Sequence, residues 1–363
     1  MAVASFAGMD LTSLVRPLAA AANAAVRLLS RQARLRLRAS ARGVVVSGSD
    51  RDLAVRFECA ATTHLDGEVL VPAAPFAETM RMLDVDRVRL VVEGNRLAIR
   101  TDGARFALPL LDRELHHDPA PPPRLSEVDS SLLTTAVRTV AGTAAKDDPL
   151  PLFTGVRVQS VGDELRLTAS DRYRMAVARL PLRALRQPID VLVPADLLTE
   201  AIRHGAGVLG LHAGAGRFAL SWDGGAVTTA VLDAGFLSED AIPSDSVDTE
   251  VELGADELAA AVRRVGVYSA DRRVLTLEVG DTQVRIASAR QDTGEAEETL
   301  KANVCGGRTS PSFQSRYLLD ALTPFSGDRV RLAIQPGLRA CVLTPTTERE
   351  VRLTYYLMPM LPR

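Results

Sequence analysis

Apolar residues recur three to four positions apart in three separated segments, LTSLVRPLAAAANAAVRLL from Leu11, SSLLTTAVRTVAGTAA from Ser130 and ADELAAAVRRVGVYSA from Ala255. That spacing lines up one face of a helix, so each segment predicts an amphipathic helix, with Asp10, Ser130 and Asp256 placed to cap its N-terminus. A block of the other period follows each helix: LRLRASARGVVVSGSDRDLAVRFECA from Leu35, VRVQSVGDELRLTASDRYRMAVARLPL from Val156 and LTLEVGDTQVRIASARQDTGEAEETL from Leu275. Alternation about a polar turn predicts paired strands. A short strand and a second helix come next, in GEVLVPAAPFAETMRML from Gly67, IDVLVPADLLTEAIRHG from Ile189 and SPSFQSRYLLDALTPF from Ser310. An alternating hairpin then closes each unit, from Val88, Gly207 and Asp328.

The order helix, strands, helix, strands therefore occurs three times, and a repeat of this kind sets the fold before any detail does. The expected class is α+β: three tandem domains, each with two helices on one face of an antiparallel sheet. Boundaries fall near the proline-rich run Pro119 to Pro123 and near SEDAIPSDS from Ser238, giving domains 1–120, 121–243 and 244–363.

Composition changes little in this picture. A chain of 363 residues with 47% apolar and 24% charged residues can bury two or three ordinary cores. It has no run of about 18 uncharged apolar residues to cross a bilayer. The start MAVASFAGM has neither a basic n-region nor a long apolar stretch, so a cytoplasmic protein is expected. Cys59, Cys305 and Cys341 lack metal or disulfide spacing and read as buried small apolar residues. Charge matters more. A net charge of −2 does not suit a protein coated in nucleic acid, so any DNA contact must use segregated charge. Lys146 and Lys301 are the only lysines; the other basic residues are arginine.

Catalytic chemistry is not visible. His64, His116, His117, His204 and His212 have no metal-ligand spacing. Gly214 to Gly216 reads as a hairpin turn rather than a dinucleotide loop, since no helix follows to receive a phosphate. Ser47 to Ser49 reads as a loop between strands, and neither a P-loop nor a Gly-x-Ser-x-Gly nucleophile is present. The acidic GEAEET from Gly294 reads as a solvated strand or loop, and Trp222 as core or sheet surface. The expectation is a protein without metal, cofactor or catalytic residues. An enzyme or small-molecule binder on a repeated scaffold is the contrasting reading, because fold alone does not settle function.

Three segments taken in order carry a resemblance: TASDRYRMAVARLPL from Thr168, similar to an A-T-D-x-x-R-L-A segment, SFQSRYLLDAL from Ser312, and YYLMPM from Tyr355. With the threefold repeat, they make the whole chain resemble the bacterial sliding clamp, the DNA polymerase III beta subunit, as a divergent member of actinobacterial type. The resemblance implies a head-to-tail homodimer of six domains closing a ring around duplex DNA. The polymerase, clamp loader and repair proteins would dock through short peptides, with no cofactor and no membrane. A basic hole inside an acidic exterior would reconcile the net charge with DNA.

Carried over residue by residue, the DNA-facing candidates are Arg16, Arg27, Arg81, Arg138, Arg203, Arg263, Arg264 and Arg316 on helices, with Lys146 in a loop; each alone also reads as an ordinary surface residue. The dimer edge would be Phe106 and Leu108 in Arg105-Phe106-Ala107-Leu108, meeting Val267 and Tyr268. Burying each of the first two would contribute on the order of 1.5–3 kcal/mol, unless they serve their own hairpin core. A cleft for the partner peptide would combine Phe153, Ser170, Arg172, Tyr173, Arg174 and Met175 with Gln314, Tyr317, Leu338, Ala340, Tyr356, Met358, Pro359 and Met360. The chain departs from the family in reading Gly235-Phe236-Leu237-Ser238-Glu239-Asp240 where Phe-Pro-x-Tyr-Arg is usual, and in its tail Met360-Leu361-Pro362-Arg363. The loop after the first helix is also short. These departures leave two roles open: a general processivity clamp, or a divergent second clamp with an altered cleft, serving another polymerase or conferring resistance to a clamp-binding inhibitor.

Overall fold

The computed structural model describes residues 8–29, 32–112, 121–236, 242, 246–269, 274–290 and 294–360. His116, His117, Pro119, residues 237–240 and the tail 361–363 lie outside the described residues.

The helices are α1 (Val15–Leu28), α2 (Ala73–Met82), α3 (Ser130–Ala141), α4 (Pro151–Thr154), α5 (Ala195–Ala201), α6 (Ala255–Val265) and α7 (Ser315–Leu322). Three tandem domains result, each with its helices packed on antiparallel sheet. Periodicity drives the longer helices: α3 buries Leu133, Ala136, Val137 and Val140, and α6 buries Leu258, Ala261, Val262 and Val265.

Each domain opens on a strand that the pattern hid, namely Asp10–Leu14, Arg124–Asp129 and Thr249–Gly254. The expected caps are corrected with them. Asp10 lies in its strand and receives the Arg89 guanidinium, Nε at 2.8 Å. The side chain serving the start of α3 is that of Asp129, which accepts the Ser131 N–H at 2.8 Å. Asp256 sits inside the first turn of α6, behind an N-cap at Gly254, and accepts the Ser326 hydroxyl and Gly327 N–H, both at 2.8 Å. The reason for the first miss is that Leu11, Leu14 and Leu18 keep helical spacing across a strand-to-helix junction.

Two other expectations change. Ser47 to Ser49 belongs to the strand Gly43–Ser49 rather than to a loop. A Cβ on Gly48 would meet Leu29 Cδ1 at 2.7 Å and the Arg34 carbonyl at 3.0 Å, so glycine there permits a close approach rather than a turn. Cys305 is exposed, while Cys59 and Cys341 are buried and burial pushes their thiols up to about 11 and about 12. The turn at Gly214 to Gly216 joins Val208–Gly214 to Arg217–Trp222, with φ +50° at Ala215 and +71° at Gly216.

The chain forms two compact units. One comprises Met1–Ser131 and Arg183–Val231, the other Leu132–Leu182 and Leu232–Arg363. In the first, an eight-stranded sheet joins two domains, because Gly225–Ala230 pairs with Leu53–Cys59 from Gly225↔Phe57 to Thr229↔Leu53. A five-stranded sheet beside it ends in Arg105–Pro109. In the second, Arg174–Pro181 pairs with Arg352–Leu357 from Arg174↔Leu357 to Arg179↔Arg352, again across a domain boundary. A four-stranded sheet of that unit ends in Gly294–Lys301. Among the described residues no helix is long and apolar enough to cross a membrane.

Candidate functional site

Strands Glu164–Ser170 and Arg174–Pro181 pair as far as Ser170↔Met175, so Asp171, Arg172 and Tyr173 must reverse the chain in three residues. Asp171 organises the turn: its carboxylate accepts the N–H groups of Tyr173 and Arg174, each at 3.2 Å, and Arg174 Nε at 3.0 Å. The buried Ser170 hydroxyl donates to the Arg174 carbonyl at 2.9 Å. Arg172 takes φ +77°, a conformation costing a non-glycine residue roughly 1–2 kcal/mol. Its guanidinium is clamped by Asp148, at 2.6 and 3.0 Å, and lies 4.2 Å from the Phe153 ring centroid. The Leu150 N–H and then Arg172 hold the Asp148 carboxyl below its ordinary range.

Arg174 is the polar centre. Only 8% of its side chain is exposed, yet it reaches Asp171, Asp320 at 2.6 Å, the Tyr355 hydroxyl at 3.2 Å and the Gly142 carbonyl at 3.3 Å. Burial works against its charge, yet Tyr355 and then the carboxylates of Asp171 and Asp320 raise its pKa on balance, and burial raises that of Tyr355. The guanidinium also lies 4.8 Å from the Tyr317 centroid, as does that of Arg316. The rings of Tyr173 and Tyr317 stack. Met175, Val177, Ala340 and Tyr356 form one apolar cluster, with Ile242 and Val342 packed against it.

The expected cleft residues fall into two neighbourhoods of one unit. Phe153, Ser170, Arg172, Tyr173, Arg174, Met175, Tyr317, Ala340 and Tyr356 surround the turn and the apolar cluster. The Met358 N–H donates to the Tyr173 carbonyl at 2.9 Å, tying the terminal segment to them. Leu338, Pro359 and Met360 line a separate cavity of about 130 Å³ with Phe313, Gln335 and others, and Gln314 stands at the N-cap of α7. Sequence reasoning missed Asp148, Asp171, Val177, Ile242, Asp320 and Tyr355. Only Asp171 carried a local signal, as an Asx residue at a strand reversal.

The basic candidates are all exposed, but they are not equally available. Arg27 and Arg203 both reach Glu200, at 3.1 and 3.2 Å, and Arg264 pairs with Glu298 at 2.9 Å. Arg316 lies on Tyr317, and Arg263 adds to the lowering of the Asp256 carboxyl that the Gly327 N–H and then the Ser326 hydroxyl cause. Among the described residues Arg16, Arg81, Arg138 and Lys146 have no ion-pair partner. Arg138 lines a cavity of about 430 Å³ with Thr135, Thr139, Asp320 and Tyr355. Among the described residues no group of three or more His, Cys, Asp or Glu could hold a metal. His64, His204 and His212 contact Thr12, Glu200 and Ser221 respectively.

The two sheet ends differ in charge. Arg105–Pro109 offers Phe106, 41% exposed, beside Arg100 and Arg105, both paired with Glu93. Leu108, on the same strand face, is buried, so of these two expected interface residues Phe106 is the one that presents its side chain; the strand contacts α2 and Gly67–Pro72. Gly294–Lys301 carries Glu295, Glu297 and Glu298, which makes the acidic run an outermost strand. Val267 and Tyr268, in the 3-10 turn after α6, are 78% and 42% exposed.

Residues 26–116, 127–237 and 239–361 match, in that order, the N-terminal, central and C-terminal domains of the DNA polymerase III beta subunit. The beta sliding clamp of Streptomyces coelicolor is 26% identical over 340 residues, covering 90% of each chain. The beta sliding clamp homolog GriR of Streptomyces muensis is 23% identical over 337 residues, 87% of this chain and 88% of its own. The crystal structure of the DNA polymerase sliding clamp from Bacillus subtilis shares the fold, with a TM-score of 0.89 at 21% identity over 98% of this chain and 100% of that one. With three domain matches consecutive and together spanning most of its length, the chain belongs to the DNA polymerase III beta subunit family, as a divergent member.

Proposed function

We propose that the protein is a DNA sliding clamp, a processivity factor that encircles duplex DNA and tethers a polymerase without doing chemistry itself. The consecutive match of all three domains carries this reading. In it, domains 1–120, 121–243 and 244–363 are contributed by each of two copies. Arg105–Pro109 of one copy lies along Gly294–Lys301 of the other, with Phe106, Val267 and Tyr268 covered between them. Two open strands of opposite charge, each flanked by exposed apolar side chains, support that pairing. The unpaired Arg16, Arg81, Arg138 and Lys146 supply contacts to phosphates, which hold a duplex without reading its sequence. The polymerase, clamp loader and repair proteins dock at the cleft around Tyr317 and Tyr356. Loaded onto nicked circular DNA, the protein should stay bound through gel filtration and be lost when the circle is cut; retention on both forms, or on neither, overturns the proposal.

A second reading keeps the fold and narrows the role to a specialised clamp with an altered cleft. Its support is the chain's departure from the family's usual Phe-Pro-x-Tyr-Arg at Gly235-Phe236-Leu237-Ser238-Glu239-Asp240 and in its tail Met360-Leu361-Pro362-Arg363. Affinity for a polymerase clamp-binding peptide, measured beside an ordinary clamp, separates the two roles, and equal affinity removes the specialised one.

A further inference from the structure

The strand Arg34–Ser40 alternates along its length: Leu35, Leu37 and Ala39 are buried, whereas Arg34 and Arg38 are exposed and Arg36 is half-buried. Its two faces are therefore unlike. Leu35 lies on the helix side, where it and Leu29, just past the end of α1, both approach Gly48. The arginines occupy the opposite face, and the register extends that face over the neighbouring strands. Arg36 stands across from Ser47, and Ser47 across from Arg56. Arg38 stands between Glu68 and Val45, and Val45 is across from Glu58. Arg36 Nε donates to the Ser47 hydroxyl at 3.3 Å, as a shared face requires. Both acids are engaged, Glu68 lying 4.0 Å from Arg36 and Glu58 accepting from Arg56 at 2.9 Å. Among the described residues the side chains of Arg34 and Arg38 have no ion-pair or hydrogen-bond partner. None of these arginines is among the candidates for contact with DNA.

We propose that this arginine face is a docking surface for an extended acidic segment of a partner protein. It belongs to the first compact unit, whereas the cleft belongs to the second, so it stands or falls independently of the cleft. Arg34, Arg36 and Arg38 follow one another at about 6.8 Å, the rise of two strand residues. Carboxylates on alternate residues of an extended peptide repeat at the same distance, and each can accept two N–H bonds from one guanidinium. A nucleic acid also carries the right charge, but a single strand is held by rings on which its bases stack. The one ring on Arg34–Ser40, Gly43–Ser49, Leu53–Cys59 and Gly67–Pro72 is Phe57, which is 6% exposed and alternates with Arg56 and Glu58 onto the other face. Charge complementarity thus favours an acidic peptide, bound with modest and salt-sensitive affinity.

A fluorescein-labelled peptide of alternating serine and glutamate is titrated by anisotropy against the full chain and its R34Q/R38Q, R34E/R38E and R87Q/R186Q variants. Its glutamine and lysine counterparts and a labelled oligothymidylate are run beside it. The glutamate peptide should bind the parent and be released as salt is raised. R34Q/R38Q should bind it about 2- to 30-fold more weakly, the worth of two exposed charge pairs. R87Q/R186Q removes the same charge from exposed arginines elsewhere and should bind like the parent, while R34E/R38E should prefer the lysine peptide. Equal losses in the two glutamine doubles would reduce the effect to net charge and overturn the proposal. So would equal binding of the glutamine peptide, or no binding by the parent. An oligothymidylate that binds more tightly than the glutamate peptide, and that R34Q/R38Q releases, overturns the choice of partner and marks the face as a nucleic-acid surface.

Discussion

Arg174 concentrates more partners than any other side chain of the cleft, and the physical cost of losing it follows from its burial. Replacing it with methionine would leave the Asp171 carboxylate and the Tyr355 hydroxyl facing an apolar chain in a site that is largely closed to water. Removing one member of such a buried network destabilises a protein by about 3–5 kcal/mol. R174K should recover little of it, because one ammonium cannot reach in the directions a planar guanidinium fork serves at once. Urea denaturation of R174M and R174K checks this, and a loss under about 1 kcal/mol for R174M shows the network to be decoration. The arginine was visible in the sequence through the segment around Asp171. Its partners were not, since Gly142, Asp320 and Tyr355 come from distant stretches that only the paired strands bring together.

Elements were legible where one period dominated. The helices α3 and α6 follow their apolar spacing closely, whereas Asp10–Leu14 was lost because its leucines fit the helix that follows. The strand Arg124–Asp129, hidden by the prolines before it, pairs with Val208–Gly214, and His212 secures that pairing. Its Nδ1 lies 2.9 Å from the Pro122 carbonyl and its Nε2 2.8 Å from the Ser221 hydroxyl, an arrangement a neutral ring satisfies by donating at one nitrogen and accepting at the other. Burial, with Arg124 nearby, holds its pKa below the ordinary histidine value, against the pull of Pro122. The unfolded chain therefore takes up the proton first as pH falls. The stabilisation is complete above about pH 6.5 and is lost on acidification through the lower folded value. Denaturation midpoints measured from pH 7.5 to 5 should fall more steeply for the parent than for H212Q; parallel curves would exclude His212 as the cause.

At the scale of the molecule, the threefold repeat was plain in the sequence but the division into two compact units was not. Repeats are read from local pattern, while the units arise because strands of neighbouring domains pair across both boundaries. Assembly belongs at this scale too. Val267 is 78% exposed, so V267E should leave the folded chain intact, yet burying a charge where about 1.5–3 kcal/mol of apolar contact was available should weaken a ring interface at least tenfold. Sedimentation velocity near the dimer midpoint reads the change directly. A V267E protein that sediments as the parent does would remove this residue from the interface.

The pairing of Arg174–Pro181 with Arg352–Leu357 also bears on how the chain is made. The first of these strands leaves the ribosome roughly 170 residues before its neighbour exists. At a synthesis rate of about 5–20 residues per second, that edge stays unmatched for on the order of 10–35 seconds. Through that interval the nascent chain carries an open strand of β-forming sequence, Arg-Met-Ala-Val-Ala-Arg-Leu-Pro, ready to accept a wrong one. A ribosome stalled before Arg352 would hold this edge of the sheet open, so translation of Arg352–Leu357 is the step that makes the second unit safe to release.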